Sequence, residues 1–437
     1  MRTRFGRASR RGEPAGLSSP RPKQAKGRAD VRWTPLAALV ALLLCLTSPL
    51  SASDWPNWRG PQRDGISRES GLSFAWPAGG PKALWNAAVG TGFSSLAIAD
   101  GRVFTMGNEG DRDFVRCLDA NTGKLIWKQG YDCPLDPNLF EGGPTSTPTV
   151  AGDRVYTISR LGQVHCLGAA DGEILWSRDL AAGDELSSPG WGYAGSPVIH
   201  GKLVLLNVGE SGMALDKATG ETVWQSEPEE AGYSSPVVFQ HAGRDLGVFS
   251  SGKYFSAVDL ASGERVWSHR WLTRYGMNAC DPLIDGDLIF ITSGYGKGCA
   301  LVKHAAEEPE ELWKGKALRS QLTVPVKLGG FVYGIDGDEN AREPSLKCVS
   351  FATGEEQWAE AGVGFGSLIA AGDKLIVLSA KGELITGQAT AQGWKELGRA
   401  EVLKGKCWTP PALAEGRLYC RNAFGDVVCL DLRSPRS

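Results

Sequence analysis

Short apolar segments recur along the chain after about residue 80, and a turn that contains glycine follows each of them. In STPTVAGDRVYTI, which begins at Ser146, an apolar strand, a glycine turn and a strand of β-branched and aromatic residues follow one another. This order predicts a β-hairpin. Similar hairpins are predicted from Ser94, Gly195, Ser234, Cys280, Thr323, Gly366 and Thr409.

A second signature, a polar turn between two strands that ends in tryptophan, follows most of these hairpins. ALDKATGETVW, which ends at Trp224, shows it clearly. Gly220 supplies the positive φ that this turn requires. A large indole beside a small residue fills a gap between packed units, so we expect a structural docking role for these tryptophans. They are Trp85, Trp127, Trp176, Trp224, Trp267, Trp313, Trp358 and Trp394.

The two signatures together repeat about every 40–50 residues, which indicates stacked copies of one supersecondary unit. Eight units of four antiparallel strands, with no helical periodicity, predict an all-β fold: an eight-bladed β-propeller. Trp85 has no hairpin before it, and the last hairpin has no tryptophan strand after it. We therefore expect an N-terminal strand to pair with the C-terminal blade and close the ring, because closure removes two exposed sheet edges.

The N-terminal region differs from the repeats. A basic stretch that ends at Arg32 precedes an apolar run from Leu36 to Leu46, which is the pattern of an export signal and is too short to span a bilayer. We expect a periplasmic or other cell-envelope location, with membrane contact only through an uncleaved N-terminus. The predicted divisions are a signal peptide with a long basic region (1–53), an extension that packs on the propeller (54–81), the propeller (82–432) and a tail (433–437).

The charge of the mature chain limits its partners. Beyond residue 53 there are 37 basic and 47 acidic residues. This acidic balance without a basic stripe argues against nucleic acid, which is bound mainly through phosphate neutralisation. Export permits disulfides, and the sequence leaves open whether Cys420 and Cys429, on either side of a predicted hairpin, are bonded.

The run Ala-x-Asp-x-x-Thr-Gly-x-x-x-Trp resembles the tryptophan-docking motif of the pyrroloquinoline-quinone (PQQ) type propellers. Its best match here consists of Ala214, Asp216, Thr219, Gly220 and Trp224. The resemblance extends over residues 82–432 and implies the eight-bladed ring. It implies two kinds of function, because the family includes quinoprotein dehydrogenases and the non-catalytic propeller of the outer-membrane barrel-assembly machinery. The segment from Asp54, DWPNWRGPQRDGIS, is similar to one that heads many exported propellers of planctomycete-like bacteria.

The resemblance also defines what an enzyme of this family needs. Quinoprotein dehydrogenases hold PQQ between a tryptophan and two adjacent cysteines, bind calcium through carboxylate and amide oxygens, and use an aspartate as base. This chain has no adjacent cysteines. We therefore expect no catalytic residue and no PQQ with calcium, and a quinoprotein oxidoreductase acting on alcohols or sugars is the alternative.

A metal site is not expected either. Asp336-Gly-Asp338-Glu-Asn340 opens like a calcium loop, but Ala341 and Lys347 stand where an EF-hand needs glycine and glutamate.

The loops that join one blade to the next gather at one end of the central channel. Aromatic and arginine side chains on such loops are typical of recognition surfaces, although they could instead pack the loops onto the ring. We expect a non-catalytic scaffold that binds an envelope protein or a small ligand here, with carbohydrate binding as a further alternative. The candidate binding residues are Trp191, Tyr193, Tyr233, Arg270, Arg274, Tyr275, Asn278 and Trp408.

Overall fold

The computed structural model describes residues 53–77, 79–138, 140–183, 186, 188–338 and 343–434. The signal peptide predicted for residues 1–53 lies outside these ranges except for Ser53, and it stays a prediction. The described residues form 33 strands, one short helix α1 (Leu180–Gly183) and one 3-10 helix (Ala361–Val363). Neither helix has the length and apolar character that crossing a membrane requires.

The strands form eight sheets, which are the predicted blades. Blade one contains β3 (Ala97–Ala99), β4 (Arg102–Glu109), β5 (Arg112–Asp119) and β6 (Leu125–Asp132). Blade two contains β7 (Thr149–Ala151), β8 (Arg154–Ile158), β9 (Gln163–Gly168) and β10 (Ile174–Asp179). Blade three contains β11 (Val198–His200), β12 (Leu203–Leu206), β13 (Met213–Asp216) and β14 (Thr222–Gln225). Blade four contains β15 (Val237–His241), β16 (Arg244–Ser250), β17 (Tyr254–Asp259) and β18 (Arg265–Arg270).

The second half of the ring has the same construction. Blade five contains β19 (Leu283–Asp285), β20 (Leu288–Ser293), β21 (Gly298–Lys303) and β22 (Glu310–Gly315). Blade six contains β23 (Val326–Leu328), β24 (Phe331–Asp336), β25 (Ser345–Ser350) and β26 (Glu356–Glu360). Blade seven contains β27 (Gly366–Ala371), β28 (Lys374–Ser379), β29 (Glu383–Thr390) and β30 (Gly393–Glu401), with the added strand β1 (Ile66–Ser67). Blade eight contains β31 (Ala412–Ala414), β32 (Arg417–Arg421), β33 (Asp426–Asp431) and β2 (Lys82–Ala88).

The ring closes as predicted, because β2 near the N-terminus pairs antiparallel with β33 at the C-terminus. In this pairing Trp85 lies opposite Cys429. The first strands of neighbouring blades contact each other, for example β3 with β7 and with β31, and they line the central channel. We call the end of the channel at which the first strands begin the mouth, and the opposite end the base.

The repeated tryptophan joins each blade to the next. Trp127 on β6 lies opposite the small, buried Cys117, next to a β-bulge. Its Nε1 donates a hydrogen bond to Ala169 O of blade two at 3.1 Å. Gly172, in the turn of blade two, has φ of 76°, and a Cβ there would lie 2.5 Å from the Trp127 ring. Glycine is thus required by both conformation and space.

The same hydrogen bond recurs around the ring. A backbone carbonyl of the following blade accepts from the indoles of Trp85, Trp127, Trp176, Trp224, Trp313 and Trp358. Trp267 donates instead to Nδ1 of His304, at 2.8 Å.

Trp394 differs from the expected docking position. It lies at the start of β30, opposite Ala389, and packs on Gly387 of its own blade. The residue that precedes the bulge and pairs with Thr386, as Trp127 pairs with Cys117, is Gly398. The physical reason is that the ladder between β29 and β30 continues to Thr390 and Gly393, so Trp394 lies near the turn, before the docking position at Gly398.

Trp76, from the segment before β2, fills the position that Trp394 does not. A Cβ on Gly398 would lie 3.0 Å from the Trp76 ring, and Thr386 Oγ1 donates to Phe74 O at 2.6 Å. Ser73 N donates to Leu432 O of blade eight, also at 2.6 Å. This segment therefore packs at the junction between blades seven and eight and is hydrogen-bonded to both.

Residues 54–70, which we call the channel loop, enter the channel from the base. Trp55 is 1% exposed and forms an antiparallel bridge with Ile98 of β3. Pro56 O accepts from Val150 N of β7 at 2.9 Å, and the returning strand β1 pairs parallel with β27. The loop is thus hydrogen-bonded to first strands on different sides of the channel and fills it.

The channel loop enters and leaves the channel at the same end, the base. Glu69, after the returning strand, accepts backbone hydrogen bonds from Glu415 (2.9 Å) and Gly416 (2.6 Å) in the turn between β31 and β32, which lies at the base. Ser53 Oγ donates to the same carboxylate at 3.2 Å.

Cys420 and Cys429 are not bonded to each other, which settles the question that the sequence leaves open. Both are free and buried. The register places Cys420 opposite Val428 and Cys429 opposite Tyr419, so the two thiols lie on opposite faces of the sheet.

Candidate functional site

One repeat position supplies the inner surface of the mouth. It precedes the first strand by four residues in seven blades, and Phe365 has the equivalent place in the GFGSL segment of blade seven. We call these eight residues the mouth ring. They are Phe93, Thr145, Ala194, Tyr233, Ala279, Leu322, Phe365 and Trp408.

The residues two positions after the mouth-ring residues link neighbouring blades from one to five. In each link a backbone amide donates to a hydroxyl or carboxylate oxygen of the next blade. Ser95 N donates to Thr147 Oγ1 (2.9 Å), Thr147 N to Ser196 Oγ (2.9 Å), Ser196 N to Ser235 Oγ (3.0 Å) and Ser235 N to Asp281 Oδ1 (2.7 Å). This hydroxyl belt holds blades one to five together at the mouth. The backbone amides that it uses are already paired and do not offer an edge to a bound peptide strand.

The mouth encloses a cavity of about 640 Å³. Seven members of the mouth ring line it, together with loop side chains such as Phe140 and Trp191, and Trp58 of the channel loop. No described residue that lines it carries a charge at neutral pH. The size is that of a small-molecule site, and the lining favours an uncharged ligand.

Aromatic rings form two opposite walls of this cavity. On the side of blades one and eight, Phe93 lies 5.4 Å from Trp408 and 5.7 Å from Phe140, measured between ring centres. On the side of blades four and five, Tyr275 meets Tyr295 edge to face at 5.0 Å. Tilted and edge-to-face pairs are common arrangements of aromatic rings, so each wall presents rings that pack on each other.

Trp58 reaches the mouth because a buried carboxylate holds it there. Its Nε1 donates to Asp281 Oδ2 at 2.7 Å. Arg59 is 5% exposed and donates to Pro325 O at 2.6 Å. Burial raises the pKa of Asp281 and lowers that of Arg59, and the attraction between the two charges opposes both shifts. This arrangement positions the channel loop and leaves no exposed acid or base at the mouth from these two groups.

One residue that lines the cavity has a buried polar group. Gln321 lines the cavity, is 3% exposed, and its Oε1 has no hydrogen-bond partner among the described residues. An unsatisfied buried acceptor costs about 1–3 kcal/mol. A ligand that donates a hydrogen bond there would recover that energy.

The structure brings together half of the candidates predicted from the sequence. Trp191, Tyr233, Tyr275 and Trp408 all line the cavity. Trp191 N donates to the Tyr233 hydroxyl at 3.4 Å. Burial raises the pKa of Tyr233 to about 12, so its phenol is neutral in any physiological medium.

The other candidates lie elsewhere. Tyr193 and Asn278 are buried and pack the loops onto the ring, which is the alternative that the sequence left open. Asn278 Nδ2 donates to Ser251 O (2.9 Å) and Trp271 O (3.0 Å). Arg270, the last residue of β18, and Arg274, on the loop that follows, are exposed and do not line the cavity.

Sequence reasoning missed several lining residues. Phe93 could have been found, because it occupies the same repeat position as Tyr233 and Trp408. Trp58, Phe140 and Gln321 carry no such signal, because they come from loops whose path only the folded structure shows.

The fold and the site define an eight-bladed β-propeller with a filled channel and an uncharged aromatic mouth. The family model described as outer membrane protein assembly factor BamB matches residues 111–360, more than half of the 437-residue chain. The chain therefore belongs to the PQQ-like propeller family of the outer membrane protein assembly factor BamB.

Individual relatives are more distant. BamB of Yersinia pestis is 29% identical over 227 residues, which make up 48% of this chain and 53% of that protein. The chain thus spans about half the length of this relative. The crystal structure of BamB from Moraxella catarrhalis has a TM-score of 0.60 at 18% identity, over 82% of this chain and 99% of that one.

An enzyme shares the fold equally well. Quinohemoprotein alcohol dehydrogenase from Comamonas testosteroni has a TM-score of 0.59 at 14% identity, over 92% of this chain and 85% of that one. Identities this low show a shared fold only, so the choice between binding and catalysis depends on the residues of the site.

Those residues do not fit PQQ with calcium. The carboxylates of PQQ require cationic partners, and the described lining of the mouth offers none. Within the described ranges, no three or more His, Cys, Asp or Glu side chains come together as a metal site. Asp336 of the calcium-like loop accepts instead from Arg319 Nε (2.9 Å) and Lys347 Nζ (3.1 Å), while Asn340 lies outside the described residues.

Proposed function

We propose that this protein is an exported, non-catalytic scaffold of the cell envelope that takes part in outer-membrane protein assembly by binding a partner protein at its mouth face. The observation that carries the proposal is the combination of family membership with a mouth that presents aromatic rings and no charged catalytic group. A periplasmic location follows from the export pattern of residues 1–53 and from the family.

The partner protein would dock on the end of β18 and the loop after it, outside the cavity. Arg270 and Arg274 are exposed there, and Leu272 between them is 44% exposed. Arginine beside an exposed apolar side chain is typical of interface hot spots. Because the mature chain is acidic as a whole, this basic and apolar rim patch favours a partner segment that carries acidic and apolar residues.

Charge reversal of the rim patch tests this proposal. In a strain that lacks the gene, wild-type protein should restore the amount of outer-membrane proteins in the envelope, and Arg270→Glu with Arg274→Glu should not. A matched control replaces Leu125 and Ile126, which are 52% and 46% exposed on the outer strand of blade one, with serine. Full restoration by the charge-reversed variant, at equal protein level, would reject the rim patch, and no effect of the deletion would reject the assembly role.

The quinoprotein alternative is tested directly on the purified protein. We expect no bound-cofactor absorption and no dye-linked oxidation of alcohols or sugars after incubation with PQQ and calcium, because the mouth lacks cations for the carboxylates. Stoichiometric PQQ binding with dye reduction would replace the scaffold proposal by an enzyme.

A further inference from the structure

The cavity inside the mouth is a second feature, distinct from the rim patch, and three of its properties limit what it can hold. Its lining is uncharged, its two opposite walls are aromatic, and one lining residue, Gln321, has a buried amide oxygen without a hydrogen-bond partner among the described residues. A charged ligand would lose its hydration without gaining an opposite charge from the lining, which is unfavourable in a partly enclosed site. The cations beside the walls are already engaged, Lys406 with Glu141 and the Trp408 ring and Arg274 with the Tyr275 ring. The ligand is therefore neutral.

A purely apolar ligand does not fit either. It would cover Gln321, whose Oε1 has no partner in the described structure, and leave that oxygen buried without a hydrogen bond. The ligand must bring at least one hydroxyl or N–H donor. Asn138, which is exposed at the edge of the cavity, adds a further polar group. The Thr145 hydroxyl donates to Tyr193 O at 3.2 Å and can still accept from a ligand donor.

An uncharged peptide also carries hydrogen-bond donors, but it is poorly suited to this cavity. Each of its backbone amides and carbonyls requires a partner when it is buried. The amides of Thr147, Ser196 and Ser235 are already engaged in the hydroxyl belt, and Phe93 N donates to Pro144 O at 2.8 Å. This part of the mouth thus has little main-chain capacity to offer, and recognition must come mainly from side chains.

We propose that the mouth cavity binds a neutral saccharide. A sugar ring has apolar C–H faces that pack on aromatic rings, here Trp408 with Phe93 on one wall and Tyr275 with Tyr295 on the other. Its hydroxyl groups donate to Gln321 Oε1 and keep contact with water at the open side. Trp58 forms the floor, so the channel loop is part of the site.

Isothermal titration calorimetry on the purified full chain tests the proposal with named probes. These are the neutral tetrasaccharides cellotetraose and chitotetraose, the charged tetragalacturonate, and the uncharged peptide acetyl-Ala-Phe-Ala-Phe-amide. At least one neutral tetrasaccharide should bind, and tetragalacturonate should bind at least about tenfold more weakly, the order of effect of burying an uncompensated charge.

Variants then locate the bound sugar. Trp408→Ala should weaken binding about tenfold through loss of stacking, and Gln321→Ala about fivefold through loss of a hydrogen bond. Ala279→Trp places a large ring at a small mouth-ring position and should abolish binding without removing a wall, so it keeps the test decisive if Trp408→Ala fails to fold. Ile126→Ser, on the outer strand of blade one, is the matched control and should leave affinity unchanged.

Two results would overturn the proposal. One is the absence of binding by both neutral tetrasaccharides, whether or not the peptide binds. The other is unchanged saccharide affinity in Ala279→Trp. Arg270→Glu alone should leave saccharide affinity intact, because Arg270 does not line the cavity, whereas Arg274 lies 5.2 Å from the centre of the Tyr275 ring. Failure of the saccharide site and failure of the rim patch are therefore distinguishable.

Discussion

Seven of the eight junctions between blades are closed by a tryptophan of the repeat, whereas the junction between blades seven and eight is closed by Trp76 from outside the repeat. The repeat tryptophans donate their indole N–H to the next blade, as Trp127 does to Ala169 O. The Trp76 indole nitrogen is buried without a hydrogen-bond partner among the described residues. The comparison shows that a ring can lose one copy of its docking motif if another segment supplies a ring of similar size.

The same comparison distinguishes the residues that build the ring from the residues that give this protein its own features. The repeat tryptophans are explained by packing between blades, and the features that distinguish this protein come from segments between or before the repeats. Trp58 and Trp76 both belong to the N-terminal segment, which fills the channel, forms the floor of the mouth and seals the irregular junction.

The largest effect is expected from truncating a docking tryptophan. Trp127→Ala should lower the free energy of unfolding by about 3–5 kcal/mol, because a buried aromatic ring at a junction is replaced by a cavity. Trp394→Ala should lower it by less than half as much, since Trp394 does not occupy the docking position and is only partly buried. Chemical denaturation of both variants checks this. Equal losses would contradict the different positions of the two residues.

A junction with a buried histidine should respond to acid. His165 stacks on Tyr131 between blades one and two, and burial lowers its pKa from 6.5 to about 4. Below pH 6.5 the unfolded state binds a proton that the folded state does not, so stability should fall by about 3 kcal/mol as the pH decreases to 4. His165→Phe should remove this part of the pH dependence. If the free energy of unfolding of wild type and variant fell equally with decreasing pH, His165 would not be the cause of this pH dependence.

Replacement of tryptophan by phenylalanine compares the two kinds of junction directly. Trp127→Phe loses a buried hydrogen bond and leaves Ala169 O without that donor, so it should cost about 1–2 kcal/mol. Trp76→Phe removes a donor that has no partner and should cost about 1 kcal/mol or less. Thermal unfolding of the two variants checks the order. A larger loss at Trp76 would mean that its indole nitrogen is hydrogen-bonded.

The smallest effect concerns the cysteines. Since Cys420 and Cys429 are free and face opposite sides of their sheet, a reducing agent should leave the unfolding temperature unchanged. Loss of a structural disulfide would lower stability by about 2–5 kcal/mol, which thermal unfolding with and without reductant would detect easily.

The architecture could be predicted from the sequence because the same local pattern of strands and turns recurs along the chain. Each glycine turn and tryptophan strand is local, and Trp85 without its own hairpin is enough to indicate how the ring closes. Trp394 could not be placed, since the shift depends on the length of its hairpin. The channel loop could not be placed at all, because nothing local shows that Trp55 pairs with Ile98.

Part of the candidate site could be predicted because its residues have a fixed position in the repeat. Tyr233 and Trp408 precede first strands, and their position in the repeat puts them at the mouth. Tyr193 and Asn278 have similar loop positions but are buried, and only tertiary packing distinguishes the two cases. Trp58 belongs to a segment that precedes the propeller in the sequence and reaches the mouth only by passing through the channel.

Hydrogen exchange of the channel loop tests most directly whether this segment is part of the folded ring. The Trp55 and Gly65 amides donate to backbone carbonyls, the Ile66 amide donates to Asp64 Oδ1, and β1 pairs with β27. Mass spectrometry should therefore find peptides over residues 54–67 protected to the same degree as the first strands β3 and β27. Exchange of these peptides within seconds, while β3 and β27 stay protected, would show that the loop leaves the channel and would contradict its role as plug and as floor of the mouth.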